Sequence, residues 1–145
     1  MNKYIIPVIL IIAFIVIALL FFPSSDEKKI RDIIHECETC LIDKNIKPII
    51  DYLDERFIVP EYNLDIDDIL HENFAKKTLH YFDNLDVRKI NIEIDENSAR
   101  AYMIVRVTNS KLKYNLPFEV NAELVKRDEN WRFTIVNITP YKIEQ

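Results

Sequence analysis

The sequence predicts an α+β fold, in which an N-terminal transmembrane helix precedes two to three helices packed on a curved four-stranded antiparallel sheet. Three patterns carry that expectation. Residues Tyr4 to Phe22 are apolar or aromatic throughout and carry no charge. In the stretches between Asp26 and Phe82 apolar residues recur every three or four positions, the period of a helix. From Val87 onward they recur every second position, the period of a half-buried strand.

The first run, "YIIPVILIIAFIVIALLFF", has Pro7 near its start, where a missing N–H costs least. Nineteen residues at about 1.5 Å rise span roughly 28 Å, close to the hydrocarbon thickness of a bilayer. A secretory signal has a shorter apolar region and a small-residue cleavage site, and "LLFFPSSDE" offers neither. Residues 1–23 are therefore read as an uncleaved anchor and 24–145 as the domain behind it. A three-residue head before an anchor usually stays in the cytosol, which favours an extracytoplasmic domain on a single-pass protein of the inner or plasma membrane. The charge count, Lys3 against Lys28, Lys29 and Arg31, leans the other way.

Ser25 or Asp26 can cap the next helix, whose stripe is Ile30, Ile33, Ile34, Cys37 and Leu41 and which runs to about Asp43. "KPIIDYLDERF" reads as a shorter helical piece with Pro48 in its first turn, and Asp54 and Glu55 as its solvated end. "IVPEYNL" follows as a loop, with a brief strand as the alternative. Asp65 or Asp67 is placed to cap "DIDDILHENFAKKTLHYF", whose apolar stripe is Ile66, Ile69, Leu70, Phe74 and Tyr81. Four strands come last. Ile90, Ile92 and Ile94 alternate in the first, Ala101, Met103, Val105 and Val107 in the second. Leu116 to Leu124 alternate in the third, and Trp131, Phe133 and Ile135 in the fourth. Helices followed by strands argue helices on one face of the sheet.

Composition removes several functions. Without Lys3, the remainder carries 18 basic and 24 acidic side chains, a net of −6, which argues against nucleic acid. The 145 residues contain no glycine. Phosphate-cradling loops, dinucleotide fingerprints and the serine-hydrolase elbow all require it, so those enzyme classes are out. Turns must use Asn, Asp and Pro instead.

"HECETC" holds Cys37 and Cys40 three apart, with His35 ahead of them. Two cysteines supply half of a zinc site, and His35 lies off their helix face. Leu41 stands where haem attachment needs a histidine. A bridge across one helical turn would be strained, because the Cβ atoms lie roughly 5–6 Å apart. The pair reads as packing cysteines, with a reversible bridge in an oxidising compartment as the alternative. No metal and no cofactor is expected, and no catalytic residue is singled out.

The helix passing through "DKN" into "IIDYLDERF", the strand "SARAYMIVRV" and the hairpin "DENWRFTIV" together resemble the nuclear transport factor 2-like superfamily. This is a cone-shaped, cystatin-like α+β fold, and the resemblance covers nearly all of 24–145. It implies a sheet curved around a cavity, in which enzymes of the group place a carboxylate with a tyrosine or histidine. Here the expected inward positions, among them Ile92, Ala101, Met103, Val120, Ala122, Phe133 and Ile135, are all apolar. Proton transfer would have no base there. With its anchor, the chain also resembles the longer inner-membrane assembly components of bacterial type IV secretion systems.

On the other side of the sheet, Tyr102, Ile104, Arg106, Val136 and Ile138 form a mixed aromatic, aliphatic and basic patch, the candidate interface, with coverage by the C-terminal segment "TPYKIEQ" as the alternative reading. The expected function is a membrane-anchored, non-catalytic protein-interaction or assembly module, with a homodimer through the sheet as one form. The alternative is a binder of, or enzyme acting on, a small apolar ligand in the cone, with His80 and Tyr81 at its rim.

Overall fold

The computed structural model describes residues 3–21, 25–71, 74 and 79–141. Helix α1 spans Ile5–Phe21, α2 Ser25–Ile42 and α3 Lys47–Ile50. Strand β1 (Leu53–Val59), a 3-10 turn, β2 (Leu64–Asp65) and α4 (Ile66–Leu70) follow. Strands β3 (Asn84–Asp95), β4 (Ser98–Asn109), β5 (Tyr114–Arg127) and β6 (Asn130–Pro140) complete the chain.

The α+β expectation is met, but the sheet is not four antiparallel strands. It has six, in the order β2-β1-β6-β5-β4-β3, and it is mixed because β1 runs parallel to β6. Of the two additional strands, β1 begins in the segment read as helical and the two-residue β2 lies at the end of the loop that follows. Ile49, Tyr52, Leu53 and Phe57 fit a helical spacing, yet Leu53, Phe57 and Val59 are buried as strand residues. The Phe133 N–H donates to the Tyr52 carbonyl at 2.8 Å, tying this segment to a strand 81 positions later. No local pattern carries such a pairing.

The transmembrane helix is also overturned. Helix α1 has 17 residues, which at 1.5 Å rise give about 26 Å against a hydrocarbon core of about 30 Å. Among the described residues no helix is long and apolar enough to cross a membrane. The single-pass localisation inferred from that run falls with it. Phe22, Pro23 and Ser24 lie outside the described residues.

Helix α2 places Ile30, Ile33 and Ile34 on the sheet as its stripe requires, with Cys37 packed against the same core. Helix α4 is capped by a reciprocal pair: Asp65 accepts from the Asp68 N–H, and Asp68 accepts from the Asp65 N–H, both at 3.0 Å. Residues 72, 73 and 75–78 of the longer helix expected there lie outside the described residues.

Without glycine, seven of the described residues take positive φ: Lys44, Asn63, Lys89, Glu96, Lys113, Asp128 and Glu129. Asp128 and Glu129 form a two-residue loop with positive φ at both positions, the turn that matches strand twist between β5 and β6. Lys89 sits where the β3–β4 register slips by one.

The core lies between the helices and one face of the sheet. Ala99, Ala101 and Met103 of β4, Val120, Ala122 and Leu124 of β5, and Trp131 and Phe133 of β6 line that inward face. On the strands it is apolar through the middle of β3 to β6, with buried Asn109 and the Asp26 partner Lys126 as polar positions towards its ends.

Candidate functional site

The outward face follows from register. Neighbouring strands align Glu93, Arg100 and Glu123 in one row, Asn91, Tyr102, Asn121 and Asn137 in the next, and Arg88, Ile104, Glu119 and Thr139 in a third. A fourth row sets Asp86 against Arg106 and Pro117. The Tyr141 N–H donates to the Pro117 carbonyl at 3.0 Å, which carries the chain past β6 along the same edge.

Tyr102, Ile104 and Arg106 are outward and half-buried, where the alternation placed them. Burial first, then Glu119 and Tyr141 nearby, push the Tyr102 phenol up from its ordinary value. Val136 and Ile138 are different. The β5–β6 register shifts between Glu123 and Leu124, so Leu124 pairs with Phe133 but Glu123 pairs with Ile135. Thr134 is the extra residue of this bulge. Beyond it the alternation inverts: Val136 and Ile138 pair with Ala122 and Val120 and pack against the core, and Ile135 turns outward.

His80 and Tyr81 are exposed, with ring centroids 4.3 Å apart. The Tyr81 carbonyl accepts from Asn109 Nδ2 at 2.8 Å and from the Tyr114 hydroxyl. These bonds hold the segment on the β4–β5 hairpin.

Two open hollows lie on the outward face. One, of about 450 Å3, is lined by Arg56, Ile58, Ser98, Arg100, Glu123, Thr134 and Ile135 with neighbouring backbone. The other, of about 400 Å3, is lined by Asn91, Glu93, Arg100, Tyr102, Asn121, Glu123 and Asn137. Arg100 and Glu123 border both. The first hollow sits where two irregularities meet. Between Leu53 and Ile58, β1 advances five residues while β6 advances two, from Phe133 to Ile135.

Beside it is a group that the sequence reading misjudged. Asp54 is not the solvated end of a helix; it is 1% exposed. Its carboxylate accepts from Arg127 Nε at 2.6 Å, from the Arg56 N–H at 3.1 Å and from Arg56 Nε at 3.4 Å. Burial raises its pKa, but the Arg56 backbone bond and the two guanidinium groups outweigh burial and hold it below the usual value. A lowered folded pKa means stability that is complete above the unfolded value of 3.8 and lost as pH falls through the folded one. The stability difference between wild type and Asp54→Asn is therefore expected to stay constant from pH 7 to about 5 and to close below 3.8. Urea midpoints across that range measure it; a difference independent of pH would contradict the ionised Asp54.

Another carboxylate escaped the sequence. Asp26, in the first turn of α2, accepts from Trp131 Nε1 and from Lys126 Nζ, both at 3.1 Å. The indole first and the lysine second lower its pKa. The pair fastens α2 to the β5–β6 hairpin. Cys37 is a free thiol whose pKa burial pushes up to about 12, with Cys40 and Glu36 adding to the rise. That keeps it protonated at neutral pH. Among the described residues no three His, Cys, Asp or Glu side chains are grouped to hold a metal.

No protein-family model matches this chain, and no curated protein matches its sequence. Solved structures do. A protein of unknown function with a cystatin-like fold from Nostoc punctiforme PCC 73102 aligns with TM-score 0.69 at 11% identity, over 83% of this chain and 94% of that one. A nuclear transport factor 2-like protein of unknown function from Pseudomonas putida KT2440 aligns with TM-score 0.64 at 11% identity, over 84% and 92%. A candidate Ca/calmodulin-dependent kinase II association domain from Exiguobacterium sibiricum 255-15 aligns with TM-score 0.63 at 18% identity, over 86% and 99%. These likenesses show a cystatin-like, nuclear transport factor 2-like fold. At such identities they show the fold alone.

Proposed function

We propose that this chain is a non-catalytic protein-interaction module that binds a second polypeptide through the outward face of its sheet. One observation carries the reading. Both hollows open on that face, whereas the inward face is covered by packed apolar side chains such as Met103 and Phe133, which are 5% and 7% exposed. A small apolar ligand in the cone would have to displace them.

The outward patch also has the composition of an interface. Tyr102, Ile104 and Arg106 combine an aromatic, an aliphatic and a guanidinium side chain, types enriched where binding energy concentrates. A second copy fits the charge pattern, because Arg88 and Arg106 share the face with Asp86 and Glu119 and a copy presents both signs in return.

Sedimentation velocity on the full chain tests this. Wild type is expected to associate with rising concentration, and Tyr102→Glu with Ile104→Glu to remain monomeric. Wild type that stays monomeric would remove the second copy as the partner. A double variant that sediments like wild type would remove the surface. Val136→Glu is no substitute, since its side chain packs on the core.

A further inference from the structure

We infer that the hollow between β1 and β4–β6 is a subsite for a carboxylate carried on an apolar body, presented by the partner polypeptide. The inference rests on the interaction reading and names what the partner brings. Its floor is apolar: Ile58 and Ile135 face it, with Ala99, Leu124 and Val125 behind. Two guanidinium groups, Arg56 and Arg100, stand against one carboxylate, Glu123, which leaves the lining one positive charge in excess. Ser98 and Thr134 border the same space, with their hydroxyls donating to the Asp95 and Glu123 carbonyls at 3.0 and 3.2 Å.

The basic groups are prepared for an anion. Arg56 is 67% exposed at its side chain, yet buried Asp54 holds both its backbone N–H and its Nε. That orients the guanidinium while its two terminal nitrogens keep their donors for a ligand, the fork that suits a carboxylate. Asp54 acts here as a positioning residue. Its other oxygen is taken by Arg127, so it is engaged from both sides. Arg100, across from Glu93 and Glu123 in register, makes no side-chain hydrogen bond or ion pair within 4 Å among the described residues. The bulge at Thr134 brings Ile135 to this face and so supplies the apolar floor. A ligand with charge alone would leave Ile58 and Ile135 in water, and an apolar one alone would leave the excess positive charge of the lining unanswered.

Hexanoate is the minimal probe and hexan-1-ol its uncharged counterpart, each titrated into the full chain with amide signals followed by NMR. Hexanoate is expected to shift Arg56, Ser98, Thr134 and Ile135 saturably, and hexan-1-ol at least about tenfold more weakly. Arg56→Gln and Arg100→Gln should each weaken hexanoate about tenfold. Both side chains are exposed, and in Arg56→Gln the backbone N–H of residue 56 and Arg127 still hold Asp54, so urea unfolding of each variant is expected to match wild type to within about 1 kcal/mol. A short peptide ending in a free C-terminal leucine should compete for the site, and its amide should not.

Equal binding of hexanoate and hexan-1-ol, or no saturable shift with either, overturns the subsite. Hexanoate bound with the peptide unbound keeps the carboxylate site and overturns the polypeptide as its source. Self-association that persists without hexanoate binding counts against the subsite alone. Hexanoate binding in a chain that never associates counts against the interaction reading alone.

Discussion

Ala122→Asp is expected to leave the protein largely unfolded, while Asn121→Asp, one residue away, leaves it folded. Ala122 is 2% exposed and faces Ala101 and Val136 across the adjoining strands, with α2 above the same core. A carboxylate there loses its hydration and gains no cation, because the strand positions around it are apolar. The cost is several kcal/mol, about 3 or more, against a total stability of roughly 5–15 kcal/mol for a domain. Asn121 is exposed on the outward face, where the same substituent should change stability by no more than about 0.5 kcal/mol. Circular dichroism and urea unfolding of the two variants separate the faces. Comparable stability in both would mean that water reaches the inward face, and the cone would then be open to a ligand.

Trp131→Ala should bring the next largest loss, about 3–5 kcal/mol in urea unfolding. The indole is 2% exposed and is among the largest fully buried side chains. It also donates from Nε1 to Asp26, which Lys126 holds from the other side. Truncation opens a cavity and loosens the first turn of α2 together. Trp131→Phe keeps most of the volume and removes only the donor, so its loss should be smaller and the Asp26 pKa should rise. If Trp131→Ala cost no more than Trp131→Phe, packing would not be what the tryptophan supplies.

Local periodicity carried most of this architecture. The stripe Ile30, Ile33, Ile34 and Cys37 marked α2 and its buried side, and alternation marked β3 to β6 with the inward residues of β3, β4 and β5. The errors fall where structure depends on distant partners. Strand β1 is held by a parallel pairing with β6, and its residues satisfy a helical spacing equally well, so Asp54 was left in solvent instead of between two arginines.

The β6 bulge is a subtler case. Trp131, Phe133 and Ile135 alternate cleanly, and nothing in that run announces that Thr134 is an additional residue. One inserted position inverts every side chain after it. That is why Tyr102, Ile104 and Arg106 share the outward face while Val136 and Ile138, grouped with them by alternation, lie under it. The nineteen-residue apolar run shows how narrow a length argument is, since α1 keeps 17 of those residues and falls short of a bilayer core. Arg56, Arg100 and Glu123 sit far apart in sequence and had no shared pattern; only the sheet order brings them to one hollow.

Methyl-resolved NMR over a concentration series tests most directly whether binding belongs to the outward face. As copies associate, the methyl signals of Ile104 and Ile135 should shift, and those of Val120, Val136 and Ile138 should stay in place. Shifts concentrated on Val120, Val136 and Ile138, with Ile104 and Ile135 unmoved, would contradict the account.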